Sequence, residues 1–229
     1  MRRSSSFFTF IEITPGSVPF STETIHAQLC ARVSYSVSSA DDHSAYGALC
    51  LGQACCDGYA RAMVLLLRYA GIPASVVSGT ALNSAGHTEN HAWVYAEIDG
   101  VRCLLDPTWN DQAARLLPFY LNLSAEEMGR NHWAESPYRT DDAGDGAEWF
   151  RVQGLCAGSA AEAKALTLRQ LSEGREVWLR LPPELLPEVL ESVDDWIGDW
   201  NWDHLSDQIT GMQVFHDAVQ GCALIVVTK

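Results

Sequence analysis

The sequence predicts an α+β fold, and three observations carry that prediction. The segment 54–70 is apolar on nearly every side of a helix, the pattern of a helix buried at the centre of its domain. Asp99-Gly100 stands between two apolar runs, 91–98 and 101–106, and this dipeptide favours the tight turn of an antiparallel hairpin. The last part of the chain alternates shorter helical and strand patterns, which predicts a small α/β or α+β appendage.

The composition is that of a globular protein with one core and an appendage, or with two small domains. The chain has 229 residues, of which 47% are apolar and 19% are charged. Its formal net charge of −14 opposes nucleic-acid binding, because a phosphate backbone would be repelled. Solubility explains this charge most simply, and a preference for basic peptides is the alternative.

No membrane span is predicted, because no apolar run reaches the roughly 18–20 residues that a span needs. The apolar run 7–11 follows Arg2-Arg3 but is short for the core of a signal peptide, and it is better interpreted as a strand. The compartment therefore stays open between the cytoplasm and export with a signal that is absent from this sequence. Nothing in the sequence indicates an oligomeric state.

The first elements follow from periodicity and from helix-breaking residues. Residues 1–19 are expected to form a lead-in strand, and 34–44 is polar and loop-like. A helix is predicted over 22–33, because Ile25, Leu29 and Val33 recur at helical spacing. Gly71 ends the buried helix 54–70 and Pro73 prevents it from restarting, so that 74–79 is expected to be a buried strand.

The second half of the chain is predicted to contain a boundary. Residues 119–128 are expected to form a strand or loop and then a short helix that opens at Ser124. The segment 140–146 is rich in Asp and Gly, and it separates a core, 20–140, from an appendage, 147–229. Within the appendage, helices are predicted at 160–172 and from about 183, and strands at 176–181, 213–216 and 222–228.

Cys56, His91 and Asp106 supply the groups of a cysteine nucleophile, its base and the acid that orients the base. A two-residue turn at 99–100 pairs residues whose numbers sum to 199, so that His91 faces Thr108 and Asp106 faces Trp93. His91 and Asp106 are then diagonal neighbours on one face, roughly 7–8 Å apart at the backbone and within reach of a side-chain hydrogen bond. Cys56 lies at the start of the buried helix, where free N–H groups stabilise a thiolate.

These stretches resemble the bacterial transglutaminase-like family of the papain-like superfamily. The motifs that carry the resemblance are 45–49, 56–60, 70–73, 91–93, 106–111, 120–124 and 126–128. The resemblance covers roughly residues 20–135, and it implies a papain-like core in which a central helix packs on an antiparallel sheet. It also implies that Cys56 is the nucleophile, His91 the base and Asp106 the orienting acid. Two departures, Cys55 before the nucleophile and Val94 where many relatives have Asn, bear on substrate fit.

Further residues are candidates for supporting roles. Tyr46 is the better candidate for a helper in catalysis, and Gln53 is a weaker candidate for an oxyanion donor because it lies only three residues before the nucleophile. Trp93 and Trp109 flank the base and the acid, and they are expected to be core or cleft walls that keep water away. His87 is a rival base, but it lacks the His-Ala-Trp context of the family.

The sequence favours thiol-dependent acyl transfer on peptide or protein amides, with hydrolysis as the outcome. One alternative is a protein-glutamine transglutaminase, which passes the same acyl-thioester to an amine. The other is a non-catalytic module that binds peptides or cell-envelope components. No metal and no cofactor is expected, because papain-type chemistry needs none and the seven cysteines fit no zinc pattern. The expected partner is a peptide or protein substrate.

Overall fold

The computed structural model of the chain describes residues 21–112, 115–138, 140–204 and 208–228. Contacts within the chain divide it into two units, Met1–Glu148 and Trp149–Lys229, and each is described here by itself. The lead-in strand predicted within 1–19 lies outside the described residues. The predicted division into a core and an appendage stays a prediction about folding domains.

The first unit combines helices with an antiparallel sheet, as the sequence predicted. Its helices are α1 (Thr22–Cys30), α2 (Cys56–Tyr69), α3 (Pro107–Asn110) and α4 (Ala125–Met128). Its strands are β1 (Ser34–Tyr35), β2 (Gln53–Ala54), β3 (Ala74–Leu82), β4 (Thr88–Ile98), β5 (Val101–Leu105), β6 (Asp111–Gln112), β7 (Arg115–Leu116) and β8 (His132–Ala134). The helix predicted over 22–33 is thus shorter, ending at Cys30.

Strands β5, β4, β3 and β8 form one sheet in that order, and each neighbouring pair is antiparallel. Helix α2 packs against β3, β4 and α1. Its residues Tyr59, Met63 and Leu67 are fully buried, because both the sheet and α1 cover it. The predicted central helix on an antiparallel sheet is therefore confirmed, and its N-terminal end carries Cys56.

The hairpin between β4 and β5 has the register that the Asp-Gly turn predicted. Ile98 pairs with Val101, and the ladder continues to Val94 and Leu105. It ends there, so the expectation that Asp106 faces Trp93 across the ladder is wrong. Asp106 leaves the strand because Pro107 begins α3, and the Asp106 side chain caps this helix.

The loop before α2 closes tightly on the start of the helix. Asp42, which is buried, accepts hydrogen bonds from Ser36 and Ser39, and its carbonyl oxygen accepts the N–H of Cys55 at 2.9 Å. A Cβ added at Gly58 would lie only 2.3 Å from that same carbonyl oxygen. Glycine is required at 58 because the loop backbone occupies the space of a side chain.

The second unit is built from helices on a separate antiparallel sheet. Its elements are α5 (Trp149–Val152), α6 (Ala160–Ser172), β9 (Val177–Arg180), α7 (Leu186–Asp203), β10 (Gly211–Asp217) and β11 (Cys222–Thr228). The strand order is β10, β11, β9, with antiparallel neighbours, which is the α+β member of the two predicted alternatives. The buried side of α7 and the sheet residues share one apolar core. Among the described residues, none of the helices combines the length and hydrophobicity of a membrane span.

Candidate active site

The carboxylate of Asp106 is the centre of the site, and all of it is buried. Its Oδ1 atom accepts the backbone N–H groups of Thr108 and Trp109, at 2.9 and 3.2 Å, in the first turn of α3. Its Oδ2 atom accepts from Nε2 of His91 at 2.7 Å and from Nε2 of His132 at 3.2 Å. A buried charge is stable only when it is paired and hydrogen-bonded, and this one has four donors.

His91 lies on β4, opposite Gly79 of β3, and only 4% of its side chain is exposed. The imidazole ring lies between the indole of Trp93, with ring centroids 6.3 Å apart, and the indole of Trp109, at 5.1 Å. A Cβ added at Gly79 would lie 2.8 Å from Trp93, so the absence of a side chain makes room for the indole. The two indoles thus form an apolar wall beside the His91 imidazole.

The electrostatic environment favours a charged pair of His91 and Asp106. Burial lowers the pKa of the His91 imidazole, but the charge of Asp106 and the hydrogen bonds to Asp106 and Cys56 outweigh burial and raise the pKa to about 10. Burial raises the pKa of Asp106, whereas the charge of His91 and the hydrogen bonds from His132 and His91 hold it well below its usual range. Each charge stabilises the other, so the ion pair is the favoured state near neutral pH.

Cys56 is the first residue of α2, and its side chain is half-buried. An interaction with the Cys56 side chain is among the causes that raise the pKa of the His91 imidazole. Because Nε2 of that ring is bonded to Asp106, Nδ1 is the nitrogen left for the thiol. The preceding residue, Cys55, is directed elsewhere, with its Sγ atom 3.2 Å from Nδ1 of His43. The structure therefore brings Cys56, His91 and Asp106 together in that order.

The other residues singled out from the sequence divide into two groups. Trp93 and Trp109 both contact His91, and their role as cleft walls stays a prediction. Tyr46 is 53% exposed, and Gln53 lies in β2, where it pairs with Ser34 and is exposed. Within the described part of the chain, no hydrogen bond joins either of them to the three central residues. His87, the rival base, lies in an exposed turn before β4.

The sequence analysis missed a buried histidine. His132 begins β8, 26 residues after the acid in the chain, and its ring touches those of Trp93 and Trp109, with centroids 5.1 and 4.5 Å apart. Only the pairing of β8 with β3 brings His132 to the site. No motif or spacing marked it, because the contact depends on a sheet edge that the sequence pattern did not predict.

The potential ligand atoms of His91, Asp106 and His132 lie within 4.8 Å of one another, as in many metal sites. Here, however, each histidine nitrogen is within hydrogen-bond distance of the same carboxylate oxygen, at 2.7 and 3.2 Å. Both are ordinary hydrogen-bond distances. The arrangement therefore fits a hydrogen-bonded cluster better than a metal centre.

Comparison with protein families gave a match over part of the chain. Residues 17–107 match the sequence model of the transglutaminase-like superfamily, and this span contains Cys56, His91 and Asp106. The chain therefore carries a transglutaminase-like segment, which confirms the predicted family resemblance over these residues. Comparison with curated proteins gave no match.

Solved structures also match part of the chain. A candidate cysteine protease from Cytophaga hutchinsonii is 25% identical, with 42% of this chain and 32% of that one covered and a TM-score of 0.34. A structure described as a TGase is 18% identical, with coverages of 38% and 25% and a TM-score of 0.33. The periplasmic domain of TgpA from Pseudomonas aeruginosa, bound to ethylmercury, is 29% identical, with coverages of 42% and 41% and a TM-score of 0.30. The chain thus spans less than half the length of each.

Proposed function

We propose that this protein is a cysteine peptidase or amidase that hydrolyses peptide or protein amides, with Cys56, His91 and Asp106 as its triad. One observation carries the proposal: Nε2 of His91 bonds to the buried Asp106 carboxylate at 2.7 Å, and the side chain of Cys56, at the start of α2, also interacts with the His91 imidazole. This arrangement supports a thiolate–imidazolium pair. The transglutaminase-like segment, which includes all three residues, also supports it.

The first half of the reaction forms an acyl-enzyme. The proton of the Cys56 thiol is held by His91, and the Sγ thiolate attacks the carbonyl carbon of the scissile amide. The resulting oxyanion is stabilised by N–H groups in the first turn of α2, which have no acceptor within the helix. His91 then gives its proton to the leaving amine, the C–N bond breaks, and an acyl-thioester on Cys56 remains.

The second half releases the acyl group. Water attacks the thioester while His91 takes one of its protons, the C–S bond breaks, and a carboxylic acid leaves. Asp106 keeps the imidazole in one orientation and stabilises its positive charge in both halves. An amine could replace water at this step and give a cross-linked product, which is the transglutaminase alternative.

The test is the reactivity of Cys56 itself, which needs no knowledge of the substrate. Site-resolved labelling with iodoacetamide is followed by mass spectrometry from about pH 4 to 9, on wild type and on His91→Ala, because a His-paired thiol reacts in mild acid. We expect Cys56 alone to label rapidly at acidic pH in wild type, and His91→Ala to remove that reactivity. If Cys56 labels like an ordinary thiol in both proteins, the catalytic proposal is wrong and the non-catalytic binding module takes its place.

The acceptor is tested separately with a protein substrate. A labelled casein is incubated with wild type and Cys56→Ala, with and without a fluorescent primary amine. Release of small peptides that depends on Cys56, without incorporation of the amine, supports hydrolysis. Incorporation of the amine into intact casein would favour the transglutaminase alternative.

A further inference from the structure

Two imidazoles share one oxygen of the acid in this site. Nε2 of His91 lies 2.7 Å from Oδ2 of Asp106, and Nε2 of His132 lies 3.2 Å from the same atom. The side chain of His132 has no exposed surface. In the series Cys56, His91 and Asp106, it bonds to the acid, which is the member farthest along the series from the thiol. His132 thus contacts the acid and is not in a position to exchange protons with a substrate.

Contacts other than the one to Asp106 fix the orientation of the His132 ring. Its backbone belongs to β8 and pairs with Ala81 of β3. The side-chain amide of Asn131 lies 2.8 Å from Nδ1 of the ring and 2.8 Å from the hydroxyl of Tyr120. The carbonyl oxygen of Tyr120 in turn accepts the backbone N–H of Asp106 at 2.9 Å. These contacts therefore connect the side chain of Asp106, through three other residues, back to the backbone of Asp106.

The Asp106 carboxylate needs a second hydrogen-bond donor at Oδ2 for a geometric reason. The α3 amides bind Oδ1 only, so the position of Oδ2 depends on its own partners. The bond from His91 is strong while the imidazole is charged and weaker while the ring is neutral, so its strength changes during the cycle. A donor that stays on Oδ2 throughout the cycle would hold the oxygen at the place where His91 requires it.

We propose that His132 is a positioning residue for the acyl transfer, because its Nε2–H group holds Oδ2 of Asp106 and thereby fixes the orientation of His91. This inference rests on the proposed function of Cys56, His91 and Asp106. The competing explanation is that His132 only fills the apolar wall, since its ring also packs against Trp93 and Trp109.

The experiment compares two amides of different length at the same position. In His132→Gln the amide nitrogen reaches about as far as Nε2 and can still donate to Oδ2, whereas in His132→Asn it falls short by one methylene. His132→Leu removes the donor and keeps an apolar volume. The matched control is His26→Leu, which removes another fully buried histidine, one that pairs with Asn110 and makes no hydrogen bond to Asp106. Each variant is labelled at Cys56 with iodoacetamide across about pH 4 to 9, and its thermal unfolding is recorded.

We expect His132→Leu and His132→Asn to lower the labelling rate of Cys56 at about pH 6 by roughly tenfold to a hundredfold, as for loss of one hydrogen bond to a charged group. We expect His132→Gln to recover most of that rate. His26→Leu should lose thermal stability and keep the wild-type pH profile. A Leu variant that does not fold leaves the Gln and Asn pair to decide.

The proposal is overturned if folded His132→Asn and His132→Gln label alike, or if His26→Leu lowers the rate as much as the His132 variants do. Wild type and His91→Ala, run in the same series, separate this result from the proposed function. If these two proteins also label alike, the triad itself is wrong and both proposals fall. If they differ while the His132 variants match wild type, only the role of His132 is wrong.

Discussion

Two cysteine–histidine pairs lie at the start of α2, and they differ in the burial of the histidine and in its carboxylate partner. In the first pair, Cys56 faces a His91 side chain that is 4% exposed and bonded to a carboxylate with no exposed surface. In the second, Cys55 lies 3.2 Å from Nδ1 of His43, whose side chain is 60% exposed. Chain proximity places both pairs at one helix end, but only one of them has the surroundings of a base.

The difference lies in where the acid is attached. Asp106 binds Nε2 of His91 and leaves Nδ1 available to a second partner, so the imidazole can connect an acid and a sulfur. Asp57 lies 4.0 Å from Nδ1 of His43, which is the same nitrogen that faces Cys55. Burial also raises the pKa of the Cys55 thiol, which keeps it protonated. A nearby carboxylate is therefore not enough; it must hold the opposite side of the ring.

The largest expected effect separates the two thiols. Cys56→Ala should lower hydrolysis of labelled casein on the order of 10⁴-fold or more, because the nucleophile is lost. Cys55→Ala removes a buried thiol and should keep activity within a fewfold of wild type. The measurement is peptide release at equal concentrations of folded protein. Comparable losses in the two variants would show that the sequence assignment of the nucleophile is wrong.

The next effect separates the two imidazoles. His91→Ala should lower casein hydrolysis by roughly 10³-fold or more and abolish labelling of Cys56 in mild acid, since the thiol loses its base. His43→Ala exposes Cys55 and should leave the labelling of Cys56 unchanged. Fragmentation of the tryptic peptide 33–61, which contains both cysteines, assigns the label added at about pH 6 to Cys55 or to Cys56 in one experiment. A loss of Cys56 reactivity in His43→Ala would contradict the comparison.

The pH dependence of stability should also differ between the pairs. The pKa of His91 is raised from 6.5 to about 10 in the folded protein, so the folded state binds this proton more tightly than the unfolded chain does. The stabilisation is complete below pH 6.5 and is lost as the pH rises through about 10. Urea unfolding at these two pH values should show a decline in the free energy of unfolding that His91→Gln reduces. In His43→Gln the decline should persist, and an equal reduction there would rule out the ion pair as its source.

The smallest effect tests the loop that carries the exposed pair. Gly58→Ala places a Cβ against the carbonyl oxygen of Asp42 and should cost about 1–3 kcal/mol of unfolding free energy by overpacking. Gly198 lies exposed in α7 with nothing within 4 Å of an added Cβ. Gly198→Ala should therefore stabilise by about 0.5–1 kcal/mol. Urea unfolding of both variants measures the difference, and a Gly58→Ala protein as stable as wild type would show that the loop is not pressed on the helix.

Local patterns in the sequence predicted much of the fold. The helix predicted at 160–172 has those bounds in α6, and the Asp99-Gly100 turn gave the register of the hairpin. These features depend on residues close together in the chain, where periodicity and turn geometry decide the outcome. The family resemblance then pointed to Cys56, His91 and Asp106 as candidates, and the structure brings them together.

Features that depend on competition or on distant contacts were not predictable in this way. Asp106 leaves the hairpin ladder because capping α3 satisfies two backbone N–H groups, which a continued strand would not do. His132 reaches the acid only across β3 and β8. Gln53 was considered because it is close to Cys56 in sequence, but its place in β2 leaves its side chain exposed. Chain proximity says nothing about the direction of a side chain.

The capping of α3 by Asp106 also has a consequence for the proposed activity. One carboxylate caps the helix and binds His91, so the turn 106–110 and the alignment of the proposed base depend on the same side chain. A substitution that unravels this turn should therefore also release His91, even where Cys56 and His91 themselves are unchanged.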